Sequence, residues 1–356
     1  MGGPYGPIPI FVAMNWTPQA DLTPYNTFGL GAKAQHFGRF ESVQELREAL
    51  LEIGQSPMMV LGGGSNMLLT ADFDGYILRN EIRGIEILSE DEATAMVRVG
   101  GGEVWHDFVL WCIAQDLGGV ENLSLIPGSV GAAPIQNIGA YGVELESVFE
   151  SCSAIELANG NVREFSPAEC DFGYRWSVFK GPLKGKYVIT SVTFRLTKNP
   201  EVNTSYGAIS AQLETMGVQG TPSIREVSDA VIAIRESKLP NPAEIGNSGS
   251  FFKNPIVDGE KHAALKAEFP ELVSYRAVGT SHKIAAGWMI DYLGWKGYRK
   301  GDAGVHARQA LVLVNYGGAT GVEIAQLARE IQDDVRAKFG IELEAEVNFI
   351  GAHGPL

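Results

Sequence analysis

The sequence predicts an α+β protein of two or three domains, and three observations carry that expectation. At 356 residues, 45% hydrophobic and 20% charged, the chain can bury a large core. Short β-rich runs closed by glycine turns alternate with helices whose starts carry Ser/Thr-x-x-Glu capping pairs. A stop at Pro240-Asn241-Pro242 divides a front part from a C-terminal part.

The elements follow in order. Ser42 and Glu45 form a capping pair, and Val43, Leu46, Ala49, Leu50 and Ile53 keep a helical period, so a helix is expected from Ser42 to about Ile53. A buried strand, Met58 to Leu61, runs into Gly62-Gly63-Gly64-Ser65-Asn66. Further β runs lie at Gly75 to Leu78, Gly84 to Leu88 and Ala95 to Val99, and a helix spans Val104 to Gln115. A second small-residue loop extends from Ile126-Pro127-Gly128 to Gly139-Ala140-Tyr141-Gly142. Asn159-Gly160 marks a hairpin between Cys152 and Phe165, and Tyr187 to Leu196 adds a strand. Thr197 to Thr221 reads as a connection. A capping-box helix opens at Ser223 with Glu226 and ends before Leu239. Beyond it the pattern predicts a helix at Ile284 to Leu293, a strand at Ala310 to Asn315, a helix opening at Thr320 with Glu323, and a last strand at Leu343 to Ile350. Organised sequence starts after Met14, and residues 1–13 are expected to be an extension or an upstream start. Met1 to Pro7 lacks a cationic segment and Ile8 to Ala13 is short and proline-broken, so no export signal is read there.

Composition narrows the function. A formal net charge of −14 argues against a broad electropositive face for duplex nucleic acid. Cys112, Cys152 and Cys170 are scattered without CxxC spacing, which fits a reducing cytoplasm. The histidines show neither HxH nor HExxH spacing, so no metal is expected, and no apolar run reaches membrane-spanning length.

Gly62 to Asn66 follows an apolar strand and would let several backbone N–H groups converge on an anion. A single glycine run reads as a tight turn, and this one is neither GxGxxG nor GxxxxGK[ST]. Together with the Gly128 to Gly142 loop it points to a long ligand with a diphosphate, a dinucleotide or a nucleotide-sugar, lying across a subdomain junction.

Four polar positions could do chemistry. Ser250 sits in a glycine loop before Phe251-Phe252 with no GxSxG elbow, so it is either an ordinary serine turn or a donor to a strongly basic carbanion. Alternation places Glu344 and Glu346 opposite the apolar side of the last strand, either on a solvated face or in a cleft where Glu346 could orient a cation. Arg175, after Phe172-Gly173-Tyr174, is a packing residue or a fork for a carboxylate. Lys238 is an ordinary helix C-terminal cation or a ligand contact.

Read together, these segments resemble the UDP-N-acetylenolpyruvoylglucosamine reductase (MurB) family. The resemblance rests on Asn26-Thr27-Phe28-Gly29, Leu61 to Asn66, Ile126 to Gly128, Gln136 to Gly142, Phe172-Gly173-Tyr174-Arg175, Lys238-Leu239-Pro240, Gly249 to Pro255, Ala286-Gly287-Trp288, Gln309-Ala310-Leu311, and Glu346-Val347 with Phe349-Ile350-Gly351. It covers nearly the whole chain from Asn26.

It implies an FAD-binding domain of the p-cresol methylhydroxylase type, made of two α+β subdomains at 15–85 and 86–220. A C-terminal α+β substrate-binding domain follows at 239–342, and a final strand at 343–351 returns to the active site. It implies non-covalent FAD held by Leu61, Gly62, Gly63, Gly64, Ser65, Asn66, Ile126, Pro127, Gly128, Ala132, Ala133, Gly139 and Tyr141. NADPH is the reductant, and the implied reaction reduces the enolpyruvyl ether of UDP-N-acetylglucosamine enolpyruvate for the bacterial cell wall. Arg175, Ser250 and Glu346 would be catalytic. Tyr174, Tyr206, Lys238, Asn254 and Gln309 would bind substrate, with Tyr206 matching the tyrosine loop of the larger, type I, enzymes. A cytoplasmic monomer is expected, with neither nucleic acid nor membrane as partner.

Two positions depart from the family pattern: Ala132-Ala133 replaces hydroxyls, leaving backbone donors near the diphosphate, and Asn348 stands where arginine is frequent. Trp176 receives no role. Two rivals are an oxygen-using oxidase on the same flavin fold, which often attaches flavin through histidine, and a nucleotide-sugar-binding regulator. No histidine adjoins either glycine loop, which disfavours the first, and the three catalytic positions are filled, which disfavours the second.

Overall fold

The structure, a computed structural model, describes residues 14–356; the extension read at residues 1–13 lies outside them. Three of its sheets carry most of the architecture.

The front sheet orders strands Thr17–Asp21, Lys33–Phe40, Phe73–Asn80 and Met58–Leu61, the first pair antiparallel and the others parallel. Parallel pairing needs a crossover, and the helix Val43–Ile53 supplies one. Ser42 Oγ accepts from Glu45 N at 3.2 Å, Leu46, Ala49 and Ile53 are buried, and Gly54 at φ 59° stops the helix. The Glu45 carboxylate accepts from Glu41 N, not Ser42 N, so the expected capping pair is half formed.

The second sheet is antiparallel, in the order Val162–Phe165, Phe149–Glu156, Tyr187–Thr197, Thr94–Gly100 and Ile85–Glu90. Its first hairpin turns through Asn159-Gly160, with Gly160 at φ 71°. The helix Trp105–Ala114 lays Trp105, Phe108, Val109, Cys112 and Ile113 into the core, and the Phe108 and Phe194 rings sit 4.8 Å apart.

Three expectations are corrected in the middle and C-terminal regions. Thr197 to Thr221 is not only a connection: it contains the helix Gly207–Thr215, which buries Ile209 and Leu213 against Val227, Ala230, Val231 and Ile234 of the helix Ile224–Lys238. Tyr206 stands at its N-cap without a side-chain bond, and two buried apolar residues make too thin a stripe to show as a period. The final strand is Asn348–Gly351; residues 343–347 make one isolated bridge, Ala345 with Phe252. The expected helix at Ile284 likewise begins at Ala286, because Ile284 ends the strand His282–Ile284.

The C-terminal region has the antiparallel sheet Gly246–Asn247, Leu313–Asn315, Ala303–Val305 and Arg299–Lys300, with the long helix Gly321–Phe339 against it. Thr320 and Glu323 form a complete capping box, and Ile324, Leu327, Ala328, Ile331 and Val335 are buried as their period predicts. This helix shares one continuous core with Phe73 and Ile77 of the front sheet and with Phe28 of the segment between its first two strands. The last strand pairs parallel with Met67–Leu69, Asn348 beside Met67. The chain's end is thus stitched to its beginning, and cavities lie along the seams.

Candidate active site

The strand Met58–Leu61 ends at the glycine run, where the two small-residue loops meet backbone to backbone. A Cβ on Gly63 would stand 2.8 Å from Gly128 Cα, one on Gly64 would collide with the Tyr25 carbonyl, and Gly64 and Gly128 hold φ of 64° and 115°. Only glycine meets both the contact and the dihedral. These loops line a cavity of about 360 Å³ whose wall includes Leu61 to Asn66, Gly128, Ser129, Ala132 and Lys180, with Leu157, Tyr187 and Val188 also on it.

Asn66 and Gln136 also line a second cavity of about 710 Å³, so the two chambers adjoin. Ile126, Pro127, Gly139, Tyr174, Arg175, Ser250, Asn254 and Glu346 face this larger chamber. Arg175, Ser250 and Glu346, three residues far apart in sequence, are brought to one wall.

Each is positioned by its local chain. Gly173 and Trp176 exchange both backbone hydrogen bonds, at 3.1 Å each, closing a tight turn with Tyr174 and Arg175 at its tip. Arg175 takes φ 54°, an uncommon dihedral for a side-chain-bearing residue. Its Nη2 donates to the Gly139 carbonyl at 2.7 Å and its Nε meets Glu346 Oε1 at 3.0 Å, both side chains mostly buried. Trp176, which received no role, lies against Gly181, whose missing side chain makes room for the indole.

Glu346 is fixed by its own backbone, which donates to the Phe251 carbonyl at 2.8 Å. Glu344 points outward and pairs with Lys253, so the two glutamates part company: one is solvated and the other is in the cleft. Ser250 stands between Gly249 at φ 72° and the buried pair Phe251-Phe252. Asn247 braces that loop, donating to the Pro240 and Ile245 carbonyls and accepting from Gly249 N. Ser250 is exposed to the chamber while its neighbours are anchored in the core.

Ala133, Gln309, Lys238, Tyr141 and Tyr206 lie off the walls of these two cavities. Ala133 is buried behind Ala132, and Gln309 turns its carboxamide toward Leu311 N. Lys238 is exposed at its helix end. Tyr141 and Tyr206 meet edge to face at 5.3 Å. Asn348 holds the glycine loop, its Nδ2 donating to the Asn66 carbonyl at 3.0 Å.

The larger chamber also contains groups that the sequence reading missed. Among the described residues six buried side-chain polar atoms have no hydrogen-bond partner, and four of them, on Thr27, Arg235, Ser248 and His306, belong to residues of this wall. Buried polar atoms are normally satisfied, so this concentration marks a place where a polar ligand supplies the partners. Burial pulls Arg235 below the usual guanidinium range, and the neighbouring Tyr141 pulls it back up. In sequence Arg235 is one more cation near a helix C-terminus, and nothing distinguishes it from Lys238. His106 and His306 also reach the wall although neither adjoins a glycine loop in sequence.

Two adjoining chambers, one walled in part by glycine loops and one carrying Arg175, Arg235 and Glu346, match the layout of a nucleotide-cofactor enzyme. Residues 34–166 match the family model described as an FAD binding domain, and residues 241–350 match that of the UDP-N-acetylenolpyruvoylglucosamine reductase C-terminal domain. The chain is similar to the UDP-N-acetylenolpyruvoylglucosamine reductase of Flavobacterium johnsoniae, 51% identical over 92% of this chain and 98% of that one. It is 49% identical to that of Burkholderia ambifaria over 94% and 97%. The crystal structure of the enzyme from Thermus caldophilus shares the fold, with a TM-score of 0.67 at 24% identity over 94% of this chain and 99% of that one.

The chain belongs to the UDP-N-acetylenolpyruvoylglucosamine reductase family, an FAD-binding domain followed by the family's C-terminal domain. The residues present fit FAD: glycine loops packed so closely that a Cβ on Gly62, Gly63 or Gly64 would strike a neighbouring segment, and a second chamber walled by residues with buried polar atoms that no protein group satisfies. Among the described residues no helix is long and apolar enough to cross a membrane.

Proposed function

We infer that this chain is the FAD-dependent UDP-N-acetylmuramate dehydrogenase of peptidoglycan precursor synthesis, reducing UDP-N-acetylglucosamine enolpyruvate with NADPH. The observation that carries the reading is the convergence of Arg175, Ser250 and Glu346 on a chamber adjoining the glycine cradle.

Held between the glycine loops, FAD would supply hydride transfer from NADPH to the methylene carbon of the enolpyruvyl ether. The chain's own residues handle the consequences. Negative charge develops beside the substrate carboxylate, where the Arg175 fork offers its remaining N–H groups. Glu346 holds that fork through Nε and the Gly139 carbonyl holds it through Nη2, so the guanidinium need not reorganise as charge appears. Ser250 donates its hydroxyl proton to the carbon next to the carboxylate; a carbanion is basic enough for a serine to suffice.

Tyr174 and Asn254 face the same chamber and would bind substrate with Lys238 and Gln309. Tyr206, beside Tyr141, would belong to a tyrosine loop of the type I enzymes and meet the UDP-sugar. Leu61 to Asn66, Ile126 to Gly128, Ala132, Ala133, Gly139 and Tyr141 would hold FAD. The division proposed is 15–85 and 86–220 for the cofactor, 239–342 for the substrate, and 343–351 for the returning strand. The protein would act as a cytoplasmic monomer, which light scattering on the purified protein checks.

Anaerobic titration tests the whole reading. The purified protein shows a flavin spectrum, NADPH bleaches it, and UDP-N-acetylglucosamine enolpyruvate restores the colour; absence of recolouring overturns the reading. An oxidase-like covalent link through His106 or His306 is excluded if denaturation releases all the flavin into solution.

A further inference from the structure

The glycine cavity carries a charge pattern unlike the chain around it. The formal net charge is −14, yet among the described residues no carboxylate lines this cavity, and two lysines do. Lys184 is exposed. Lys180 is half-buried, and its ammonium donates to Gln136 Oε1 at 3.3 Å. The same oxygen accepts from Asn66 Nδ2 at 3.4 Å, so Lys180 ends a chain of polar side chains at the partition between the chambers.

The backbone that carries this lysine is held on both sides. Ser177 Oγ donates to the Ile135 carbonyl at 2.7 Å, Lys180 N donates to the Ser177 carbonyl at 3.0 Å, and Phe179 is buried with its ring 4.9 Å from that of Phe165. Burial draws the ammonium below its usual range, with Lys253 and Arg175 adding to the shift and Glu346 and Glu344 opposing it.

We propose that Lys180 is the counter-ion of the diphosphate held between the glycine loops, a positioning residue that makes the cavity select a dinucleotide over bare flavin. The inference rests on the FAD reading above. Glycine N–H groups are neutral donors, whereas a diphosphate brings two negative charges into a protein that is already strongly anionic. A single half-buried cation in a cavity without carboxylates offsets that repulsion locally, and a charge-assisted bond to phosphate is stronger than a neutral one.

The test compares wild-type holoenzyme with Lys180→Met and Lys180→Arg, reading FAD release by flavin fluorescence on dilution, displacement by ADP, and the midpoint potential of bound flavin. Lys180→Met raises the FAD dissociation constant about ten- to a hundredfold, the worth of one charged hydrogen bond. It raises the ADP inhibition constant by the same factor and leaves the potential unchanged. Lys180→Arg restores both constants. Unchanged constants in Lys180→Met overturn the proposal, as does a shifted potential with unchanged ADP binding, which would put the ammonium at the flavin ring. Should Lys180→Met not fold, Lys180→Gln carries the same expectations. A wild-type protein that holds no FAD overturns the cofactor reading itself.

Discussion

The two chambers are built by opposite means. The smaller has one wall made of backbone: Gly62, Gly63, Gly64 and Gly128 contribute by having no side chain, so the loops approach and their N–H groups stay available. The larger is made of side chains that three distant segments deliver, the Tyr174-Arg175 turn, the Ser250 loop and the Glu346 return. A backbone site fails when atoms are added, and a side-chain site fails when they are removed.

That contrast can be broken or sharpened by substitution. The largest effect is expected from Ser250→Ala: reoxidation of reduced flavin by substrate slows about a hundredfold or more, the range for a lost general acid, while flavin reduction by NADPH is unchanged in stopped-flow traces. Equal slowing of both half-reactions, or of neither, would remove Ser250 from its role.

Gly63→Ala should do the reverse. It adds one methyl group 2.8 Å from Gly128 Cα, forcing the loops apart, so the protein is isolated with less FAD while far-UV dichroism stays native. Full flavin occupancy in this variant would show that the cradle does not need close approach.

A smaller effect concerns pH. Burial holds His106 below its ordinary 6.5, with Arg235 adding to the shift and Asp107 opposing it. Its unprotonated Nδ1 accepts from Leu125 N at 2.9 Å on the wall of the larger chamber. Because the folded value lies below the unfolded one, this contribution to stability is complete above about pH 6.5 and is lost as pH falls through the folded value. Urea unfolding between pH 7.5 and 5 should lose less stability in His106→Gln than in wild type; parallel curves would contradict it.

The smallest effect is a control outside both chambers. Thr320→Ala removes the cap of the long C-terminal helix and should cost about 1 kcal/mol of unfolding free energy, with both half-reactions intact.

The comparison also explains what could be read in advance. Helices with capping pairs were legible because cap and apolar period are local: Ser223 with Glu226 and Thr320 with Glu323 both form complete boxes. The helix Gly207–Thr215 was not, since it has no capping side chain and leans on its neighbour through two residues. The returning segment was read as one strand, yet its first half finds only a single bridging partner.

The sequence by itself determined the glycine loops and singled out Arg175, Ser250 and Glu346 as candidates, because a missing side chain and a family motif are both written in residue order. Whether Glu346 faced solvent or a cleft was open until the fold paired it with Arg175 and sent Glu344 to Lys253. Thr27, Arg235, Ser248 and His306 received no role from the sequence, although Thr27 lies in one of its motifs. What marks them is a missing hydrogen-bond partner, and a partner is missing only once every neighbour has been placed.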